Sequence, residues 1–380
     1  MIKAEKIIPG GQTLATNING KKIFFWNVLP DEEVLEYEIT KNKPHYQEAI
    51  ATKITNNSTF RIKPKDDHFL STSPWQIMDY NYELKTKQEL VVEIFHEHSI
   101  NINTPEIFTD NKDYFYRNKM EYALYWNQES SDISLAFHTR GSHRKIPITS
   151  SSIERPEILT RAKEIIDKLN NNHEEARKYQ TLLLRCNQNG EVSGGLFENG
   201  KPHPTFKNLH DQILGHEYSY SPNGFFQINL PVYEMALKEI KKHIVTDEVL
   251  DLYAGVGTIG LSVARDKKLT LVESDKSAYK ELVNNSDKCI TINAKSEDVL
   301  DYITSVATTI LDPPRAGCDN KLINKLLEVT PPKIIYLSCN PSTQARDVAI
   351  LLKKYHIEDV KTFNFFPRTP HIENLVVLSL

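Results

Sequence analysis

Residues 360–380 read Val360-Lys-Thr-Phe-Asn-Phe-Phe-Pro-Arg-Thr-Pro-His-Ile-Glu-Asn-Leu-Val-Val-Leu-Ser-Leu380. Two apolar runs rich in aromatic and β-branched residues, 360–365 and 375–380, are predicted strands. Only residues 366–374 join them, and Pro367 and Pro370 exclude a helix there. A parallel crossover needs about a dozen residues or more, most often helical, so the second strand is predicted to return antiparallel. Upstream, five more strands at 248–253, 269–273, 289–292, 308–311 and 333–338 each begin a strand-then-helix rhythm, which calls for a parallel, doubly wound sheet. The prediction is six parallel strands and an antiparallel seventh.

In such sheets helices cover both faces, so ligands bind beyond the carboxyl ends of the strands. Cys339 stands at that edge, after the strand at 333–338 and before the stop signal Asn340-Pro341. Asp312 ends the strand at 308–311. Glu373 precedes the seventh strand, whose antiparallel course brings its amino end to the same edge. Three reactive side chains up to 61 positions apart therefore converge, which favours a nucleophilic thiol over an inert core cysteine. Asp251-Leu-Tyr-Ala-Gly-Val-Gly-Thr-Ile-Gly260 is a GxGxxG turn between strand and helix, with Glu273 ending the next strand. That pattern suits NAD and S-adenosylmethionine equally. The antiparallel seventh strand is the arrangement of class I methyltransferases and favours S-adenosylmethionine.

The 380 residues allow two or three domains. Residues 1–60 read as short strands around the Asn19-Gly20 hairpin turn, hence an OB-like β-barrel. Residues 61–215 form a mixed α/β central domain with helices at 83–98 and 154–170 and a hairpin at Asn189-Gly190. Residues 216–380 hold the Rossmann-like sheet. Four cysteines without a CxxC pair indicate neither disulfides nor zinc, and point to a reducing, cytoplasmic setting. No apolar run approaches the roughly 18 residues of a membrane helix. A net charge of −4 argues against indiscriminate nucleic-acid binding, so any RNA must meet local positive charge. Tyr114-Phe-Tyr-Arg-Asn-Lys119 and Phe137-His-Thr-Arg-Gly-Ser-His-Arg-Lys145 mix rings with cations, as single-stranded RNA recognition requires.

Phe225-Phe-Gln-Ile-Asn229, Asp251-Leu-Tyr-Ala-Gly255, Asp312-Pro-Pro-Arg315, Ser338-Cys-Asn-Pro341 with Ala345-Arg-Asp347, and Phe366-Pro-Arg-Thr-Pro-His-Ile-Glu373 closely resemble the RNA uracil-C5 methyltransferases. The resemblance extends to Tyr116-Arg-Asn-Lys-Met-Glu121 and to a start that resembles the TRAM module. It implies Cys339 as nucleophile, Glu373 as base, and Gln227, Tyr253, Thr258, Glu273 and Asp312 around S-adenosylmethionine, with Thr258 standing where the family often has Asn. It further implies 23S rRNA or tRNA as substrate, the two remaining open, and a monomer is expected. An ordinary thiol, of pKa about 8.5, would be only about 3% thiolate at pH 7, so local activation of Cys339 is expected. Many relatives carry an iron–sulfur cluster on cysteines that this chain lacks at 66–76 and 148–152, so no cluster and no metal are expected. The competing readings are an RNA cytosine-C5 methyltransferase, a nicotinamide-dependent oxidoreductase and a noncatalytic RNA-binding module.

Overall fold

The computed structural model describes residues 1–172, 177–203 and 206–380. Strands β1 (Ile2–Ile7), β2 (Thr13–Thr16), β3 (Lys22–Trp26), β4 (Glu33–Asn42) and β5 (Tyr46–Thr55) close into a barrel in the order β1-β2-β3-β5-β4. Alternation of side chains about the pleat fills it with Ala15, Ile23, Phe25 and Ala49. A single turn, α1 (Phe69–Thr72), leads to the long helix α2 (Tyr80–Glu97). Asp79 caps α2 by accepting from the N–H groups of Asn81 and Tyr82. Glu83, Lys87, Leu90, Val91, Ile94 and Phe95, at three- and four-residue spacings, form its buried face.

Next come β6 (Glu106–Phe108), β7 (Lys119–Asn127), β8 (Asp132–His138), β9 (Lys145–Pro147), α3 (Pro156–Asn170), β10 (Tyr179–Cys186), β11 (Val192–Glu198) and β12 (Lys201–His203). All of these strands but β6 make a six-stranded sheet ordered β12-β11-β10-β7-β8-β9, and α3 packs on it through Ile158, Ala162 and Leu169. A hairpin of β13 (Leu209–Ile213) and β14 (His216–Tyr220) precedes α4 (Leu230–Lys242).

The remaining elements are β15 (Glu248–Leu252), α5 (Thr258–Val263), β16 (Lys268–Glu273), α6 (Lys276–Asn285), β17 (Ile290–Asn293), β18 (Ala307–Leu311), α7 (Asn320–Val329), β19 (Lys333–Ser338), α8 (Pro341–Leu351), β20 (His356–Phe363) and β21 (Glu373–Ser379). Their sheet runs β17-β16-β15-β18-β19-β21-β20-β6. Strand β21 is antiparallel to both β19 and β20, as the two prolines required. One face packs on α2, α7 and α8, and the other on α4, α5 and α6.

Two features differ from the sequence expectation. The third strand, β17, leads into two 3-10 turns, Ser296–Asp298 and Leu300–Tyr302, instead of an α-helix. The sheet also gains an eighth strand, β6, paired parallel to β20. Both β6 and α2 lie in the 61–215 stretch yet pack on the carboxyl-terminal sheet, so sheet membership cuts across the sequence order. Three residues are too few for periodicity to reveal such a strand.

Candidate active site

Register fixes what meets at the sheet edge. Leu252 pairs with Leu311 and Val272, Leu311 with Tyr336, and Ser338 with Asn374. Glu273, Tyr253, Asp312, Cys339 and Glu373 therefore follow one another along a single rim.

The GxGxxG turn is shaped by contact. A Cβ on Gly260 would lie 2.6 Å from Leu271 and 2.8 Å from Asp251 Oδ2, so α5 can approach β15 and β16 only with glycine there. Asp251, fully buried, accepts from Gly260 N–H at 2.8 Å through Oδ2, while its Oδ1 is buried without a partner. Glu273 accepts from Gly255 N–H at 2.8 Å and from Asp275 N–H at 2.6 Å, which pins the turn against the next strand. Tyr253 holds a left-handed backbone, φ 68°, and its hydroxyl meets Ser296 and Cys318. Buried Thr258 meets the hydroxyl of Tyr233 on α4.

Cys339, Glu373 and Asp312 form the second group. Half-buried Cys339 lies one residue before Asn340, which caps α8 by accepting from Ser342 N–H. Burial, then the charges of Glu373 and Asp312, push its thiol up to about 11, and Arg315 opposes them through charge and a hydrogen bond. In the free protein, burial reinforced by two carboxyl groups outweighs the one guanidinium that favours the thiolate. Burial, with Asp312 adding, raises Glu373 well above the carboxylate range, and Arg315 draws it down. Packing pushes Asp312 up to about 7 and Asp251 up to about 8. A cleft of about 310 Å³ opens at Cys339 and is bordered by Arg315, His371, Pro370, Ile94 and the barrel's Pro9-Gly10. The barrel is pressed close here: a Cβ on Gly11 would sit 2.1 Å from Pro370.

Gln227 arrives from the loop between β14 and α4, whose carbonyls are gripped from the six-stranded sheet. Lys119 Nζ donates to Asn223 O and Gly224 O at 3.1 and 3.2 Å, Arg185 Nη2 to Phe226 O at 3.0 Å, and Asn118 Nδ2 to Gln227 O at 3.1 Å. The loop holds Gln227 buried and leaves Phe225 73% exposed.

Asp251, Arg315 and Lys119 are the site residues whose roles sequence reasoning missed. Each stood inside a quoted motif, but only the fold shows what it touches. The stretches 66–76 and 148–152 are joined by hydrogen bonds, Asp66 accepting from Ser152 N–H and Oγ–H, while within the first Gln76 Nε2 donates to Asp66 Oδ2 at 2.8 Å.

Residues 295–380 match the family described as tRNA (uracil-5-)-methyltransferase. Over 94% of its length the chain is 27% identical to an uncharacterized RNA methyltransferase of Bacillus anthracis, covering 92% of that protein. It is 28% identical, again over 94% of its length, to another from Staphylococcus aureus strain MRSA252, covering 93% of it. The solved Pyrococcus abyssi tRNA (uracil-54, C5)-methyltransferase, in complex with S-adenosyl-L-homocysteine, is similar with a TM-score of 0.78 and 22% identity, both chains being covered at 100%. The fold is therefore the one expected from the sequence, a class I methyltransferase sheet with an amino-terminal barrel.

Proposed function

We infer that the chain, an RNA methyltransferase of the tRNA (uracil-5-)-methyltransferase family, methylates C5 of a uridine in structured RNA through a covalent Cys339 adduct. The observation that carries this is the meeting of a thiol and a buried carboxylate, Cys339 and Glu373, at the ligand edge of a methyltransferase sheet. Neither an oxidoreductase nor a binding module requires that pair.

The residues fit a cationic donor. Asp251 and Asp312 are carboxyls raised by burial, neither paired with a cation among the described residues, and Asp251 Oδ1 lacks a partner. Glu273 at the turn would hold ribose hydroxyls, while Gln227 and Asp312 would face the methionine end and Tyr253 and Thr258 would flank the turn. S-adenosylmethionine supplies an electrophilic methyl group when bound.

The chain's own residues do the rest. Cys339 Sγ, having lost its proton to solvent, bonds to uracil C6, and the C5–C6 π pair shifts to make C5 enolate-like and able to take the methyl. Arg315 and the amino end of α8 favour the thiolate charge. Glu373, raised by burial, first gives up its own proton to solvent and then, as a carboxylate, removes the C5 proton; the freed pair restores the C5–C6 double bond, and the Sγ–C6 bond breaks to return the thiolate. Burial makes Glu373 a stronger base than a solvated carboxylate. The reading assigns RNA contact to the barrel at 1–60 and the central residues 61–215, and donor binding to 216–380.

The test is tritium release from 5-tritiated uridine in unmodified tRNA and, separately, large-subunit rRNA. Release from one RNA, absent with Cys339→Ala, is expected and names the substrate class. Release from neither would contradict the uracil assignment.

A further inference from the structure

Phe115 stands 55% exposed with its backbone at φ 56°, a left-handed conformation that a bulky side chain rarely adopts. Its surroundings enforce this. Tyr114 and Tyr116 on either side are buried. Tyr116 Oη donates to Pro367 O at 2.9 Å, and the Tyr114 ring lies 5.0 Å from the Arg368 guanidinium and 3.8 Å from Lys65 Nζ. The backbone is pinned as well: Phe115 N–H donates to Ser152 O and Arg117 N–H to Ile153 O, both at 2.9 Å. Turning the ring inward would break these contacts, so the fold spends conformational strain to keep it in water. Strain of that kind gathers where a side chain is needed for binding.

The location narrows the partner. Tyr114, Tyr116 and Ile228 form an apolar cluster against which Phe366 packs, so the ridge 114–117 abuts the loop leading to Glu373. Cations lie along the same ridge. Lys65 covers the neighbouring tyrosine, and Arg117 donates through Nε to Lys119 O at 2.9 Å and pairs with no carboxylate among the described residues. One open π-face on a ridge that also carries Lys65 suits an unpaired base and its adjoining phosphate.

We propose that Phe115 is a stacking platform for an unpaired nucleobase of the substrate RNA, beside the target uridine. This rests on the reading of the chain as an RNA methyltransferase. Glycine relieves a left-handed backbone, so Phe115→Gly separates the ring's role from a structural one.

The measurements are anisotropy with whichever labelled RNA, tRNA or a large-subunit rRNA fragment, the wild type binds, calorimetric donor binding, and melting temperature. Phe115→Gly is expected to keep or raise the melting temperature and leave donor affinity unchanged. Its RNA affinity should fall roughly 5- to 150-fold, the worth of one base stack. Phe115→Trp should bind RNA within about twofold of wild type, with its emission quenched by RNA as a stacked indole's would be. Unchanged RNA affinity in Phe115→Gly would overturn the proposal, as would a loss that Phe115→Trp shares, or a wild type that binds neither RNA. If RNA affinity depends on the ring but no tritium is released, the stack stands and the uracil reading falls; the reverse pattern sinks the stack alone.

Discussion

Beneath the loop at 364–370, Glu83 and Lys87 are both buried and meet at 3.0 Å. Lys87 also donates to Asn364 Oδ1 at 2.7 Å and Phe366 O at 3.1 Å, while Glu83 accepts from Arg368 N–H at 3.0 Å. Along the sheet rim beyond that loop, Asp251, Asp312 and Glu373 are buried carboxyls, and of the three Arg315 faces Glu373. Both regions remove charge from water, but only the first supplies complete partners. Satisfied burial fixes the path of the loop, and unsatisfied burial leaves carboxyls that a cationic donor or a departing proton would complete.

The sharpest break of this contrast is Glu373→Gln. The thiol can still add to C6, but C5 keeps its proton, so tritium release should fall on the order of 10⁴-fold. RNA-linked protein should then accumulate on a denaturing gel. A variant that releases tritium freely would remove Glu373 from the base role.

On the satisfied side, Lys87→Met leaves Glu83 buried without its partner and should cost about 3–5 kcal/mol of stability. Chemical denaturation measures this, and the double variant with Glu83→Leu should recover most of it. A cost below about 1 kcal/mol would erase the distinction between the two regions.

The unsatisfied side should show itself through pH. Asp312 and Asp251, raised to about 7 and about 8, are partly protonated in the free protein at neutral pH. A bound sulfonium favours their charged forms, so donor binding should release protons at pH 7 and tighten between pH 6 and about 8.5, then level off. The slope should be at most about tenfold per pH unit for each proton released. Calorimetry in buffers of different ionisation enthalpy reads it, and a flat profile would count against donor binding at these carboxyls.

The smallest effect is expected from Arg315→Gln. Arg315 lowers the Cys339 pKa, so its loss should slow alkylation of that thiol at pH 9 by up to about tenfold, one pKa unit. Unchanged alkylation would show that Arg315 does not act on the thiol.

Much of this was legible in the sequence where chemistry is local. Pro367 and Pro370 forbid a helix, which fixed the direction of β21 and carried Glu373 to Cys339. The glycines of 255–260 marked the turn. What stayed hidden depends on distant atoms. The burial that holds the Cys339 thiol up, and the two carboxyl groups that add to it, come from other elements of the fold. The partner that gives β6 its place is β20, more than two hundred positions away, and the grip of Lys119 on the Gln227 loop spans about a hundred.

The central claim, a covalent bond from Cys339 to uracil C6, is tested most directly with RNA in which 5-fluorouridine replaces uridine. Fluorine at C5 cannot leave as a proton, so elimination stalls after methyl transfer. Wild-type protein with S-adenosylmethionine should form an RNA-linked species that survives denaturation, and peptide mass spectrometry should find the remnant nucleotide on Cys339. Efficient methylation of ordinary RNA with no trapped species, or with the nucleotide on another residue, would contradict it.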